Sequence, residues 1–110
     1  MKKWPAIPAA IFSVLGAIPV SPEKKLVTKK NALGITRFMP REIGLATKMC
    51  NGTTWQTFFH EMTHVALWDA GVHDTLKPKE RENVCNAMGT YLAAAMKAGY
   101  ITVHVPTDAE

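Results

Sequence analysis

The stretch "WQTFFHEMTHVAL", Trp55 to Leu67, carries the pattern His60-Glu61-x-x-His64 within a run of apolar residues. On a helix, residues four apart share a face about one turn apart, so His60 and His64 aim two imidazoles at one point. Glu61 is rotated by about 100° from His60, within reach of a water held at that point without itself being a ligand. Phe58, Phe59, Met62 and Val65 surround these polar residues, which predicts a buried helix. Buried polar groups need partners, and one shared metal ion would satisfy all three. The plain alternative is a packed helix whose two histidines merely fall four residues apart.

The flanking sequence sets the helix limits. Thr53, with Gln56 three residues later, reads as a capping box, which predicts a helix from about Thr54 to Ala70 stopped by Gly71. Pro78 suits the first turn of a second helix, and the charges of Glu80 and Glu82 favour its N-terminus. That pattern continues through Val84, Met88, Tyr91, Leu92 and Met96 to Lys97, and Gly99 ends it. The first half is broken at Pro19, Pro22, Gly34, Pro40, Gly44 and Gly52. Between the breaks, Ile11–Ile18, Leu26-Val27, Ile35–Met39 and Ile43–Ala46 read as short strands, and Ile101–Val105 as a last one. The expected class is α+β: a small twisted sheet packed on the H-E-x-x-H helix and on a second, ligand-bearing helix. A chain of 110 residues is one domain, 1–110.

Composition narrows the classes. The chain is 47% hydrophobic and 20% charged, as globular proteins are. Its net charge of +4 comes partly from Lys24-Lys25 and Lys29-Lys30, with no aromatic residues interleaved, so a solvated basic face is expected and no nucleic-acid partner. No stretch is long enough to span a membrane, and a monomer is expected. Cys50 and Cys85 form neither a CxxC pair nor a disulfide framework, which points to reduced thiols in the cytoplasm. Lys2-Lys3 followed by apolar residues 9–18 imitates a secretory leader, but Pro5, Pro8 and Pro19 interrupt it, and a buried strand is expected instead.

A catalytic zinc site has three protein ligands and a water. The metzincin spacing would place the third ligand at position 70 and a glycine at 67, where this chain has Ala70 and Leu67. On the second helix, Asn86, Gly89 and Ala93 fall within about 40° of Glu82. That face is carboxylate, amide and two small residues, so the helices can approach closely with Glu82 opposite His60 and His64. Asn86, one turn on, is expected to support the ligands. Glu80 lies about 160° away and reads as a solvent-facing charge. His73, in the loop after Gly71, is the rival third ligand or a stabiliser of a developing oxyanion, with Asp74 beside it. Tyr91 is a further oxyanion candidate, while Tyr100 and His104 read as structural. Asp69 lies at a poor angle for orienting a ligand histidine. Two imidazoles and a carboxylate suit one Zn2+ per chain.

Thr57-x-x-His60-Glu61-x-x-His64, a short loop and Glu82-x-x-x-Asn86 together resemble the small gluzincin-type metallopeptidases of the ImmA/IrrE kind, an arrangement shared by short phage-encoded zincin-like proteins. The resemblance covers residues 43 to 97. It implies His60, His64 and Glu82 as zinc ligands and Glu61 as general base. It also implies that Ile43-Gly44-Leu45 is the edge strand beside the active-site helix, pairing with an extended substrate. The residue before the asparagine is commonly alanine in that pattern and is Cys85 here. The expected activity is zinc-dependent hydrolysis of peptide bonds within a peptide or protein chain, in the cytoplasm of a bacterial host if the chain is phage-encoded. The alternatives are a non-catalytic zinc-binding interaction protein, such as a phage factor, and a metal-dependent hydrolase of another bond.

Overall fold

The computed structural model describes residues 4–13, 15–30 and 32–102. The fold is α+β, a four-stranded mixed sheet with two long helices packed on one face. The strands are β1 (Ala10–Ser13), β2 (Gly16–Glu23), β3 (Gly34–Phe38) and β4 (Arg41–Ala46), in the spatial order β1-β2-β4-β3. The helices are α1 (Asn51–Asp69) and α2 (Pro78–Lys97), joined through a short 3-10 turn at His73–Thr75.

Pairing is antiparallel for β1 with β2 and for β3 with β4, and parallel for β2 with β4. The alternation of strand side chains places Ile18 and Val20 of β2, and Ile43 and Leu45 of β4, on the face toward the helices. Trp55, Phe58, Phe59 and Val65 of α1 meet them, and Ala93 and Met96 of α2 complete the core. Trp55 also donates its indole N–H to the Pro5 carbonyl at 2.9 Å, which ties the N-terminal segment to α1.

Several sequence expectations are corrected. Ile11–Ile18 is not one buried strand but a hairpin, with the turn before Gly16 at φ 115° and with Phe12 77% exposed. Leu26-Val27 belongs to a π-helical turn, Leu26–Lys30, in which Leu26 is buried. Ile101 and Thr102 lie outside the sheet, and the remainder of the expected last strand lies outside the described residues. The Thr53–Gln56 capping box does not form. Helix α1 begins earlier, at Asn51, so Thr53 is already helical, and the Gln56 amide donates across to Thr90 of α2 at 2.8 Å. Both C-terminal stops match the expectation. Gly71 and Gly99 adopt φ 76° and 84°, and the next residues reach back to close the helices, Val72 N–H to Leu67 O and Tyr100 N–H to Ala95 O.

Strand β4 is interior, held between β2 and β3, so it is not the edge strand that the resemblance implied; β3 takes that place. Along β3, Gly34, Thr36 and Phe38 share the face toward α1. A Cβ on Gly34 would lie 2.6 Å from Thr57 Cγ2 and 3.0 Å from Glu61 Cγ, so glycine sets how closely β3 lies against α1. Phe38 stacks on Trp68 with ring centroids 4.3 Å apart. At the other end of α1, Asp69 accepts from Arg41 of β4 at 2.5 Å, which offsets a carboxylate placed at a helix C-terminus.

On the outer face, Arg37 grips Glu23 with both guanidinium nitrogens, at 2.6 and 2.9 Å, above Gly44. This hydrogen-bonded pairing lowers the Glu23 pKa. A lowered carboxylate pKa gives stability that is present above the unfolded value and lost as pH falls through the folded one. Both side chains are about one-third exposed, so the pair should contribute about 0.5 kcal/mol. Glu23→Gln should therefore lower the urea midpoint slightly near neutral pH, and the difference should vanish as pH falls through the lowered folded-state pKa of wild-type Glu23.

Candidate metal centre

Helices α1 and α2 run antiparallel, and they approach closely at Gly89. A Cβ there would lie 2.7 Å from the Gln56 carbonyl oxygen and 3.2 Å from the His60 nitrogen. That approach brings the first turns of α2 over the histidine face of α1. His60 Nε2 lies 3.3 Å from Glu82 Oε1, and His64 Nε2 lies 2.8 Å from Glu82 Oε2. Ligand atoms of His60, His64, Glu82 and Cys85 all lie within 4.8 Å of one another. This is a group that could hold a metal ion.

The donor set fits such an ion. Burial lowers the His64 pKa, against the opposing pull of Glu82, and so favours the neutral imidazole that a metal requires. The other ring nitrogen of His64, Nδ1, lies 3.2 Å from His73 Nε2, and His73 Nδ1 lies 3.1 Å from the Asp74 carboxylate. Metal-binding histidines commonly have their second nitrogen held in this way, which fixes the ring. His73 is 9% exposed, wedged edge-on against Phe38 and Trp68, and Arg81 donates to its carbonyl oxygen at 3.0 Å.

Glu61 is 6% exposed, with Oε2 3.8 Å from His60 Nε2. Thr36 of β3 donates to Glu61 Oε1 at 2.9 Å. Burial raises the Glu61 pKa, partly offset by that hydrogen bond and by His60. The carboxyl group is therefore more basic than a solvated glutamate.

Two clefts flank the cluster, of about 400 and 370 Å3. His60, Glu61, Glu82 and Gly34 line both. The first continues along Leu33, Gln56 and Asn86, and the second along Thr36, Phe38, His73 and Arg81. Strand β3 walls the second, and residues 32–34, which lead into it, wall the first.

The expected site residues are thus distributed as follows. His60, His64 and Glu82 come together, and Glu61 stands beside them. His73 backs His64 instead of joining the ligand atoms. Asn86 lines the first cleft, and Tyr91, 69% exposed, lines neither. Glu80 does not simply face solvent, because its carboxylate accepts the Lys77 backbone N–H at 2.9 Å and caps α2. Asp69 is engaged by Arg41.

Cys85 and Thr36 were not anticipated. Cys85 is 0% exposed, and burial, aided by Glu82 and Glu61, pushes its thiol pKa up to about 12. The sequence signal for Cys85 was its spacing, three residues after Glu82. Cys85 sits about 60° to one side of Glu82 and Asn86 about 40° to the other. The helix buries the side that carries Cys85, Gly89, Ala93 and Met96, which leaves Asn86 exposed. Thr36 gave no signal, since its role depends on where β3 lies.

Among the described residues, no helix is long and apolar enough to cross a membrane. No family model, curated protein or solved structure matches the chain.

Proposed function

We propose that this protein is a minimal zinc-dependent metallopeptidase of the gluzincin type, with His60, His64 and Glu82 as zinc ligands and Glu61 as general base. The observation that carries the reading is the convergence of both histidine Nε2 atoms on the Glu82 carboxylate, with the Glu61 carboxyl next to them. Zinc would supply a Lewis acid that polarises a substrate carbonyl and lowers the pKa of a coordinated water. Glu61 would take the proton of the attacking water and pass it to the leaving amine. Thr36 would hold Glu61 Oε1 and leave Oε2, on the histidine side, for the proton. An extended peptide would lie along the outer edge of β3, the outermost of the described strands, running from one cleft to the other across the cluster. Burial makes this carboxyl group a stronger base than a solvated glutamate, as the role requires.

A second reading, a metal centre that serves binding and not hydrolysis, is favoured by the Cys85 thiol in the same group. Structural zinc sites fill all four positions with protein ligands.

Metal analysis of the purified protein tests the shared part of both readings. Wild type should carry one zinc per chain, His60→Ala/His64→Ala should lose it, and Glu82→Ala should hold it much more weakly. His73→Ala should keep the metal but bind it about 10- to 100-fold more weakly, because it removes only the support behind His64. Metal-free wild-type protein after zinc loading would overturn the site.

A further inference from the structure

We propose that Cys85 is the fourth protein ligand of this site, so that the resting metal centre is a closed Cys-His-His-Glu set. The proposal rests on the metal site described above and does not depend on the peptidase reading.

Three observations converge on it. First, the Cys85 sulfur lies within 4.8 Å of a ligand atom from each of His60, His64 and Glu82. Four donors around one zinc, each about 2.0 to 2.3 Å from it, are separated by less than that, so modest side-chain rotation closes the set. Second, the residue is completely buried, while the other cysteine, Cys50, is exposed. Third, the Cys85 thiol has no hydrogen-bond partner among the described residues, although Cys50 has one in Thr53. A buried, unpartnered thiol aimed at two imidazoles and a carboxylate is a donor set of the kind that zinc selects.

The placement follows from the helix. Glu82 and Cys85 are three residues apart on α2, neighbours on one face, and His60 and His64 are four apart on α1. Each helix thus gives a pair of ligands, and Gly89, one turn beyond Cys85, allows the close helix approach that leaves their donor atoms within 4.8 Å of one another. On metal binding the thiol proton leaves to solvent and the thiolate bonds to the metal, with no change of oxidation state.

A closed set changes what substrate must do. With four protein ligands in place, a carbonyl or a water can enter only by adding a fifth position or by displacing the thiolate. Cys85 would then keep the centre latent until a substrate or a thiol-directed agent opens it.

Cobalt(II), which reports thiolate ligation by an intense near-ultraviolet charge-transfer band, tests the proposal. The experiment uses the full chain carrying Cys50→Ser, so that Cys85 is the sole thiol. One equivalent of cobalt should bind and show the band. Adding Cys85→Ser should abolish the band while a weaker cobalt site persists, and zinc competition should show affinity reduced by more than about 100-fold, beyond what loss of a supporting residue costs. Bound metal should also protect Cys85 from alkylation in mild urea. Stoichiometric cobalt without the band in the Cys50→Ser chain would overturn Cys85 ligation and leave the His60–His64–Glu82 site standing. Failure to bind cobalt at all would overturn the metal site, and Cys85 ligation with it.

Discussion

Glu61→Gln should reduce hydrolysis of an unstructured protein substrate such as denatured casein by about 10²- to 10⁴-fold, while zinc content stays at the wild-type level. The substitution isolates the proton-transfer role. Glutamine has the size and shape of glutamate, so the 6%-exposed side chain still fills its place, and Thr36 can still donate to its amide oxygen. What disappears is the ability to accept a proton. Replacing a buried, desolvated carboxyl by a neutral amide should leave stability equal or slightly higher. The outcome separates the two functional readings. Equal hydrolysis by wild type and variant, at equal zinc content, would remove Glu61 from the mechanism. A wild type that holds zinc but cleaves nothing would favour the non-catalytic centre.

Gly89→Val should be the most damaging change to both stability and metal binding. Glycine in an exposed helix interior is unfavourable by about 1 kcal/mol against alanine, so at an open position replacement would help. Here the new Cβ would meet the Gln56 carbonyl oxygen at 2.7 Å, a backbone atom that cannot rotate away. Forcing extra volume into such a contact costs about 1–3 kcal/mol, and the second branch of valine adds to it. The expected net loss is about 2–3 kcal/mol, which for a chain of this size lowers Tm by about 10–20 °C. Because α2 must move off α1, Glu82 and Cys85 retreat from His60 and His64 together. Zinc affinity should fall even in the folded fraction, measured well below Tm. A variant with unchanged Tm would mean that the helices do not meet at Gly89.

The parts of this molecule that sequence resolved are those encoded locally. Helical periodicity, a proline at the start of α2 and glycines after both C-termini are readable within a few residues, and α1 and α2 were found with their stops. The H-E-x-x-H spacing carries its own geometry, and Glu82 followed from the small residues that share its face. The sheet was harder. Each strand is four to eight residues long, and its neighbours are fixed by pairing between distant segments, as when Val20 meets Ile43. The resemblance thus points to β4 as the edge, although β3 lies outside it. The same limit hid Thr36 and the small size required at Gly34, since both depend on how β3 crosses α1. His73 was noticed as a histidine near the site, but only the folded loop shows it behind His64. Cys85 and Asn86 stand on opposite sides of Glu82, and the tilt of α2 that chooses between them is a tertiary property.

The division of labour between the two layers has a consequence for how such a protein could diversify. All four groups that could hold the metal sit on the helix pair, two on each helix, whereas the wall that a bound chain would read is strand β3. Side chains at Ile35 and Arg37 can be exchanged without touching the cluster, since both point away from α1. In a library randomised at those two positions, every member would inherit the metal-binding group intact, while the strand surface and the modest Arg37–Glu23 pairing would vary. Gly34 and Thr36, in contact with Glu61, and Phe38, packed on Trp68 and His73, are the strand residues bound to both layers at once.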